Sequence, residues 1–212
     1  MITIKTFVFN PFQENTYLLY DKSRQCIIID PGMFAEAEKN DLVNFIESAG
    51  LTPEAVVNTH CHVDHMLGCH FLKEKYHVPF YIHRMELQTL ETAQQFGDFF
   101  GLKIEQIPVP DHYLKDNEDF TFGSSSLRIL HVPGHSEGSI ALYSEPDSFI
   151  LTGDVLFCGS IGRTDLPGGD YSTLIGSIRE KLVPLPGNVI VYPGHGQNTT
   201  IQHEHDTNPF LM

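Results

Sequence analysis

The stretch THCHVDH, residues 59–65, carries three histidines and one aspartate. His60 and His62 are alternate residues after an apolar run, so a strand ending there would point both imidazoles the same way. Asp64 and His65 follow at once, and a turn would place them beside that pair. Neutral imidazoles and carboxylates are the ligands that zinc-like cations favour. The stretch therefore predicts a metal site. Two histidines without the other candidates would instead favour a polar loop that leads into a helix, with Asp64 as the helix cap.

Three further candidate ligands each follow a predicted strand and lie beside a glycine. They are His135 in HVPGHSEGS, Asp154 in LTGD and His195 in VYPGHG. Open α/β sheets carry their sites beyond the carboxyl ends of the strands, so these side chains are expected to meet the first group. Seven candidate ligands are too many for one tetrahedral ion. They suit two ions that share one carboxylate.

The elements that must position these residues alternate between strands and helices. Short apolar runs predict strands at 1–9, 15–20, 25–30, 54–60, 78–83, 126–132, 139–144, 148–154 and 188–195. Helical spacing of apolar residues predicts helices at 35–50, 65–77, 85–101 and 172–182. This alternation is typical of an α/β protein with layered sheets. We expect one domain over residues 1–212, with the stretch QHEHD at 202–206 as a solvated tail rather than a metal site.

Composition narrows the class of partner. The formal net charge of −14 disfavours nucleic acid and anionic membranes, which both need a basic surface. The sequence shows neither a signal peptide pattern nor an apolar stretch near 18 residues, so we expect a cytoplasmic protein with a small-molecule partner. The four cysteines form no CxxC pair and are expected to be reduced and mostly buried.

The ordered motifs THCHVDH, PGH, GD and PGHG resemble those of the metallo-β-lactamase superfamily. Within it, the chain most resembles the short form of the glyoxalase II (hydroxyacylglutathione hydrolase) group. The resemblance implies a four-layer αβ/βα sandwich and two divalent metal ions, with zinc expected first and iron or manganese as alternatives. It implies three sets of ligands: His60, His62 and His135 for one ion, Asp64, His65 and His195 for the other, and Asp154 as the bridge.

The resemblance also implies a reaction. Two cations about 3.5–4 Å apart lower the pKa of a bridging water enough to form hydroxide at neutral pH. That hydroxide would attack the carbonyl carbon of a small thioester such as S-lactoylglutathione, and a thiolate would leave. Asp64 would orient the nucleophile or accept its proton in addition to binding metal. The expected function is therefore a binuclear metal-dependent thioester hydrolase.

Recognition of the thiol half depends on Arg163 in this interpretation. It lies nine positions after Asp154, where relatives place a cation that contacts glutathione. A structural ion pair with Asp165 or Asp170 is the alternative role. Two tyrosines that contact glutathione in the family have no counterpart here, and only 17 residues follow His195, so a weaker hold on glutathione is expected.

Two other functions remain open on the sequence. Persulfide dioxygenases of the same superfamily use a single iron and share the loop GRTD, which stands here at residues 162–165. A non-catalytic metal-binding protein is the other alternative. Seven ligands with an open bridging position argue against it, because structural zinc sites are usually closed.

Overall fold

The computed structural model describes residues 1–102, 104 and 106–212. Its first sheet has six strands in chain order, antiparallel from the first to the third and parallel from the third to the sixth. These strands are β1 (Thr3–Phe9), β2 (Glu14–Tyr20), β3 (Gln25–Ile29), β4 (Thr52–Val57), β5 (Phe80–His83) and β6 (His112–Leu114).

The second sheet is built from the later part of the chain. Its strands are β7 (Asp119–Phe122), β8 (Ser125–His131), β9 (Ile140–Ser144), β10 (Phe149–Gly153), β13 (Ile190–Pro193) and β14 (Thr199–Thr200). They lie in the order β14-β13-β10-β9-β8-β7, and β10 pairs with β13 in parallel. A separate ribbon pairs β11 (Leu156–Phe157) with β12 (Ser160–Ile161).

Helices cover the outer faces of both sheets. They are α1 (Glu36–Ser48), α2 (Cys69–Tyr76), α3 (Leu87–Phe100), α4 (Tyr171–Ser177) and α5 (Ile201–Thr207). Single 3₁₀ turns precede α2 (Val63–His65) and α3 (Arg84–Glu86), and a π-helical turn (Ile178–Leu182) continues α4. In the described part of the chain, every helix is too short or too polar to cross a membrane.

Alternating side chains along the strands produce the layers. Ile27 and Ile29 of β3 lie in the core between the two sheets, whereas Ile28 packs outward with Leu42 and Ile46 of α1. In the second sheet, Ile150 faces outward and packs with Leu174 and Ile201 from α4 and α5. Because successive residues of a strand point to opposite faces, each buried strand serves two cores. The result is the predicted four-layer αβ/βα sandwich, which is confirmed.

Two sequence predictions differ from the structure in detail. The helix expected over residues 65–77 is divided, because the chain first forms the 3₁₀ turn and α2 begins only at Cys69. The expected solvated tail instead forms α5, in which Ile201 and Glu204 are buried. Glu204 accepts hydrogen bonds from Thr199 Oγ1, Gly159 N and Asn208 Nδ2, and these contacts hold α5 against the second sheet.

Candidate metal centre

All seven predicted ligands lie together at one end of the sandwich. They come from the segments that follow β4, β8, β10 and β13, so each is presented just beyond the carboxyl end of a strand. Gly194 precedes the last histidine and lies where a Cβ would collide with the Asp154 carboxylate and the His65 ring. A glycine at this position therefore lets two strand ends approach closely.

The first cluster consists of three histidines whose ring nitrogens converge. His135 Nε2 lies 2.8 Å from His62 Nδ1 and 3.2 Å from His60 Nε2. The rings of His60 and His135 are almost fully buried. Three imidazole nitrogens that face one point are the donor set of a zinc-type site with an open fourth position.

The second cluster consists of Asp64, His65 and His195. The 3₁₀ turn places Asp64 and His65 side by side, with His65 Nε2 3.8 Å from Asp64 Oδ2. His195 Nε2 lies 3.2 Å from the same oxygen and 3.3 Å from His65 Nε2. The three donor atoms thus surround a second point.

Asp154 lies between the two clusters. Its Oδ1 is 3.4 Å from His65 Nε2, and its Oδ2 is 3.7 Å from His135 Nε2 and 3.6 Å from His195 Nε2. Oδ1 is buried and has no hydrogen-bond partner within the described part of the chain. A buried carboxylate oxygen without a partner is costly unless a cation satisfies it. The residues therefore fit two divalent ions with Asp154 as a shared ligand.

The electrostatics of the first cluster and of Asp154 also fit metal binding. Burial lowers the pKa of all three imidazoles in the first cluster, that of His62 to about 3, so the rings are neutral at pH 7. Burial opposes ionisation of Asp154, but His65 and other imidazoles hold its pKa well below its usual range. Metal ligands must be neutral imidazoles and ionised carboxylates. The first cluster and Asp154 are thus in that form at neutral pH.

Four of the candidate histidines have an oxygen atom next to the ring nitrogen that points away from the clusters. His60 Nδ1 lies 3.1 Å from Thr59 Oγ1, and His135 Nδ1 lies 2.8 Å from the Arg163 carbonyl oxygen. His195 Nδ1 lies 3.1 Å from the carbonyl oxygen of Phe12. Contacts of this kind orient the ring and leave Nε2 free for a metal ion.

The fourth neighbour, Asp30, is a functional residue that the sequence interpretation missed. Its Oδ2 lies 3.2 Å from His65 Nδ1, at an angle outside that of a hydrogen bond. Its carboxylate also accepts hydrogen bonds from Thr59 N at 2.7 Å and Thr59 Oγ1 at 2.6 Å. Asp30 ends the predicted strand before Pro31-Gly32, and this break after an apolar run was the available signal.

A second missed residue is Glu86, which is fully buried beneath the first cluster. Its Oε2 accepts a hydrogen bond from Cys61 N at 2.7 Å. Its Oε1 accepts from Ser136 Oγ at 2.6 Å and from Gly138 N at 2.8 Å. Glu86 therefore joins the segment that carries His60 and His62 to the segment that carries His135.

We expect Glu86→Ala to lower metal affinity at the first cluster by about 10–100-fold, the usual range for residues that support ligands. The change removes the shared acceptor and leaves the Cys61 and Gly138 amides unpaired. Metal per chain after dialysis against a weak chelator measures the effect. Glu91→Ala is the matched control, because Glu91 is exposed one turn further along α3. Equal metal loss in both variants would contradict this role of Glu86.

A cavity of about 300 Å³ opens above the two clusters. Candidate ligands form its floor, and Arg163 lies in its wall. Arg163 Nε and Nη2 donate hydrogen bonds to the two carboxylate oxygens of Asp165 at 2.7 and 2.8 Å. Asp170 instead caps α4 by accepting a hydrogen bond from Thr173 N at 2.7 Å. Of the two ion pairs considered from the sequence, the structure contains the one with Asp165.

A family model described as the metallo-beta-lactamase superfamily matches residues 9–195. The chain belongs to this superfamily. It is 40% identical to the probable metallo-hydrolase YqgX of Bacillus subtilis, over 95% of this chain and 93% of the relative. It is 39% identical to the hydroxyacylglutathione hydrolase GloC of Haemophilus influenzae, over 94% of this chain and 93% of that protein. These matches place it among the metallo-hydrolases of the superfamily.

Solved structures show the same fold. BLEG-1, a B3 metallo-beta-lactamase, superimposes with a TM-score of 0.90 at 38% identity, over 99% of this chain and 100% of that one. TTHA1623 in a di-iron-bound form superimposes with a TM-score of 0.88 at 37% identity, over 98% of this chain and 100% of that one. A two-metal centre is thus present in a similar structure, and both of its metals are iron.

Proposed function

We propose that the protein is a binuclear metal-dependent hydrolase that cleaves a small thioester, such as S-lactoylglutathione, to a carboxylic acid and a thiol. The observation that carries the proposal is the position of Asp154, which faces both donor clusters below an open cavity. His60, His62 and His135 would hold one ion, and Asp64, His65 and His195 the other, with Asp154 shared. The similarity to GloC supports this substrate class.

Two divalent ions bound there, with zinc as the proposed metal, would supply hydroxide at neutral pH and polarise the scissile carbonyl. Asp64 Oδ2 borders the second cluster, 3.2 Å from His195 Nε2, so Asp64 can orient the nucleophile or accept its proton as well as bind metal. The carboxylate is largely shielded, with 16% of its side chain exposed. Such shielding strengthens its interaction with charge that develops during the reaction.

The cavity wall suits a substrate whose leaving group departs as a stable anion and needs no proton from the protein. The titratable side chains among the described residues that line the cavity are the candidate ligands, Arg163 and the buried Cys61. Burial raises the pKa of the Cys61 thiol well above its usual range, which makes it a poor nucleophile at neutral pH. A thiolate leaves as a weak base near neutral pH, since free thiols have pKa values of about 8.5. We therefore favour a thioester over an unactivated ester or amide.

Elemental analysis is expected to find about two transition metals per chain, since each donor cluster holds one ion and Asp154 is shared. Metal content should be measured on protein purified without chelators and before any metal is added. Thiol release from S-lactoylglutathione should then be followed beside an oxygen electrode, both before and after reconstitution with zinc. Thiol release without oxygen uptake supports the hydrolase. One iron per chain together with oxygen uptake on a persulfide substrate would establish the dioxygenase instead. If the fully metal-loaded protein catalysed neither reaction, the result would support a non-catalytic metal-binding protein.

A further inference from the structure

One face of α3 forms an apolar wall of the cavity. Thr89, Ala93, Phe96 and Phe100 recur at intervals of four, three and four residues, so they lie on one side of the helix. All four line the cavity above the candidate metal centre. The wall is therefore a continuous helix face directed at the place where the scissile bond must lie.

A second apolar segment extends this wall to the centre itself. Phe12, in the turn between β1 and β2, packs edge-on against Phe100 with 5.3 Å between ring centroids. The Phe12 carbonyl oxygen lies 3.1 Å from His195 Nδ1, so the same residue contacts a candidate ligand. Val63 and Leu166 also line the cavity. A group seated on this surface would thus be adjacent to the reacting atoms.

The charge at the cavity does not favour an anion on this side. Among the described residues that line it, Arg163 is the only lysine or arginine, and Asp165 accepts from two of its nitrogens. The whole chain carries a formal net charge of −14. Dissolved salt screens the field of this net charge beyond about 8–10 Å, so the net charge acts on a substrate at the cavity entrance rather than across the molecule. Among the described residues that line the α3 side of the cavity, Thr89, Ala93, Phe96 and Phe100 carry no charge, so this side suits an uncharged apolar group.

We propose that one half of the thioester substrate is an uncharged apolar group of about the size of a benzyl ring, which packs against Phe96, Phe100 and Phe12. The other half extends toward Arg163. This inference rests on the proposed thioester hydrolase and adds the chemical class of the substrate. The cavity of about 300 Å³ is at the lower end of small-molecule sites, which is enough for one ring beside the scissile bond.

Three thioesters test the proposal with the zinc-loaded protein. S-Lactoylglutathione has two polar halves, S-phenylacetylglutathione has an apolar acyl half, and the lactoyl thioester of benzyl mercaptan has an apolar thiol half. At least one apolar substrate is expected to exceed S-lactoylglutathione in kcat/KM by at least about tenfold, from burial of one ring. The substrate that does so identifies which half occupies the wall. A preference for S-lactoylglutathione would overturn the inference but leave the hydrolase intact, whereas no cleavage of any thioester would refute the hydrolase.

Variants of the wall provide the second test. Phe96→Ala and Phe100→Ala should each lower the ratio of kcat/KM for the preferred apolar substrate over S-lactoylglutathione by about tenfold or more. Phe210→Ala is the matched control, because Phe210 is exposed after α5 and is not among the described residues that line the cavity, so its loss should leave the ratio unchanged. Calorimetric binding of dibenzyl sulfide, which cannot be hydrolysed, should weaken in the same two variants. An unchanged ratio and unchanged binding in both, with folding confirmed by circular dichroism, would contradict the proposal.

Discussion

Replacing Asp154 by alanine is expected to lower the proposed thioester hydrolysis by at least about a hundredfold, because the two proposed metal ions would generate the nucleophile. The Asp154 carboxylate faces both clusters, with Oδ1 3.4 Å from His65 Nε2 and Oδ2 3.7 Å from His135 Nε2 and 3.6 Å from His195 Nε2. Its loss would remove a donor from both proposed ions at once and also their shared negative charge. Steady-state kinetics on S-lactoylglutathione, with metal content measured on the same sample, provides the measurement.

Cys61→Ala is the control for this experiment. Cys61 lies between His60 and His62 in the sequence, but its side chain is fully buried in the core between the first sheet and its helices. Truncating it removes one sulfur from the core and no donor from the centre, so activity should stay within about threefold of wild type, which corresponds to under 1 kcal/mol. If Cys61→Ala were as inactive as Asp154→Ala, the assignment of the ligands would be wrong.

The clustering of the seven candidate ligands was predictable because the candidates are encoded locally. Four candidates occur in one stretch of six residues, and His135, Asp154 and His195 each follow an apolar run with a glycine beside them. Strand ends that gather at one edge of a sheet then bring distant motifs together. The layered fold was predictable for a related reason, since short apolar runs alternate with helical patterns along the chain.

The supporting residues were not predictable, because their roles depend on contacts between distant parts of the chain. In the sequence, Glu86 is an ordinary acidic residue near the start of a predicted helix. Only the fold brings its carboxylate within hydrogen-bond distance of Cys61 N and Ser136 Oγ. The cavity wall has the same origin. Phe96 and Phe100 match the spacing of a helix core, and their position above the metal centre follows from the packing of α3.

Removing the two proposed metal ions is expected to abolish hydrolysis and to lower the melting temperature by at least about 10 °C. Ions that bind only the folded state stabilise it by about 4 kcal/mol at a free concentration a thousand times the dissociation constant. For a protein of this size, each kcal/mol shifts the melting temperature by about 2–4 °C. Scanning calorimetry before and after dialysis against dipicolinate measures the shift, and added zinc should restore both activity and melting temperature.

Asp154→Ala separates the metal contribution from that of the fold. In the metal-free protein Asp154 Oδ1 lies 3.4 Å from His65 Nε2, and the neighbouring imidazoles hold the pKa of this buried carboxyl well below its usual range. That attraction offsets the cost of burying the charge, so the melting temperature of the metal-free variant reports how far the two effects balance. The decisive measurement is therefore the response to zinc. Added zinc should raise the melting temperature of Asp154→Ala much less than that of the wild type, because the donor shared by both clusters is missing. A response to zinc as large as that of the wild type would contradict the role of Asp154 as a shared ligand, and the two-metal interpretation of this centre would lose its main support.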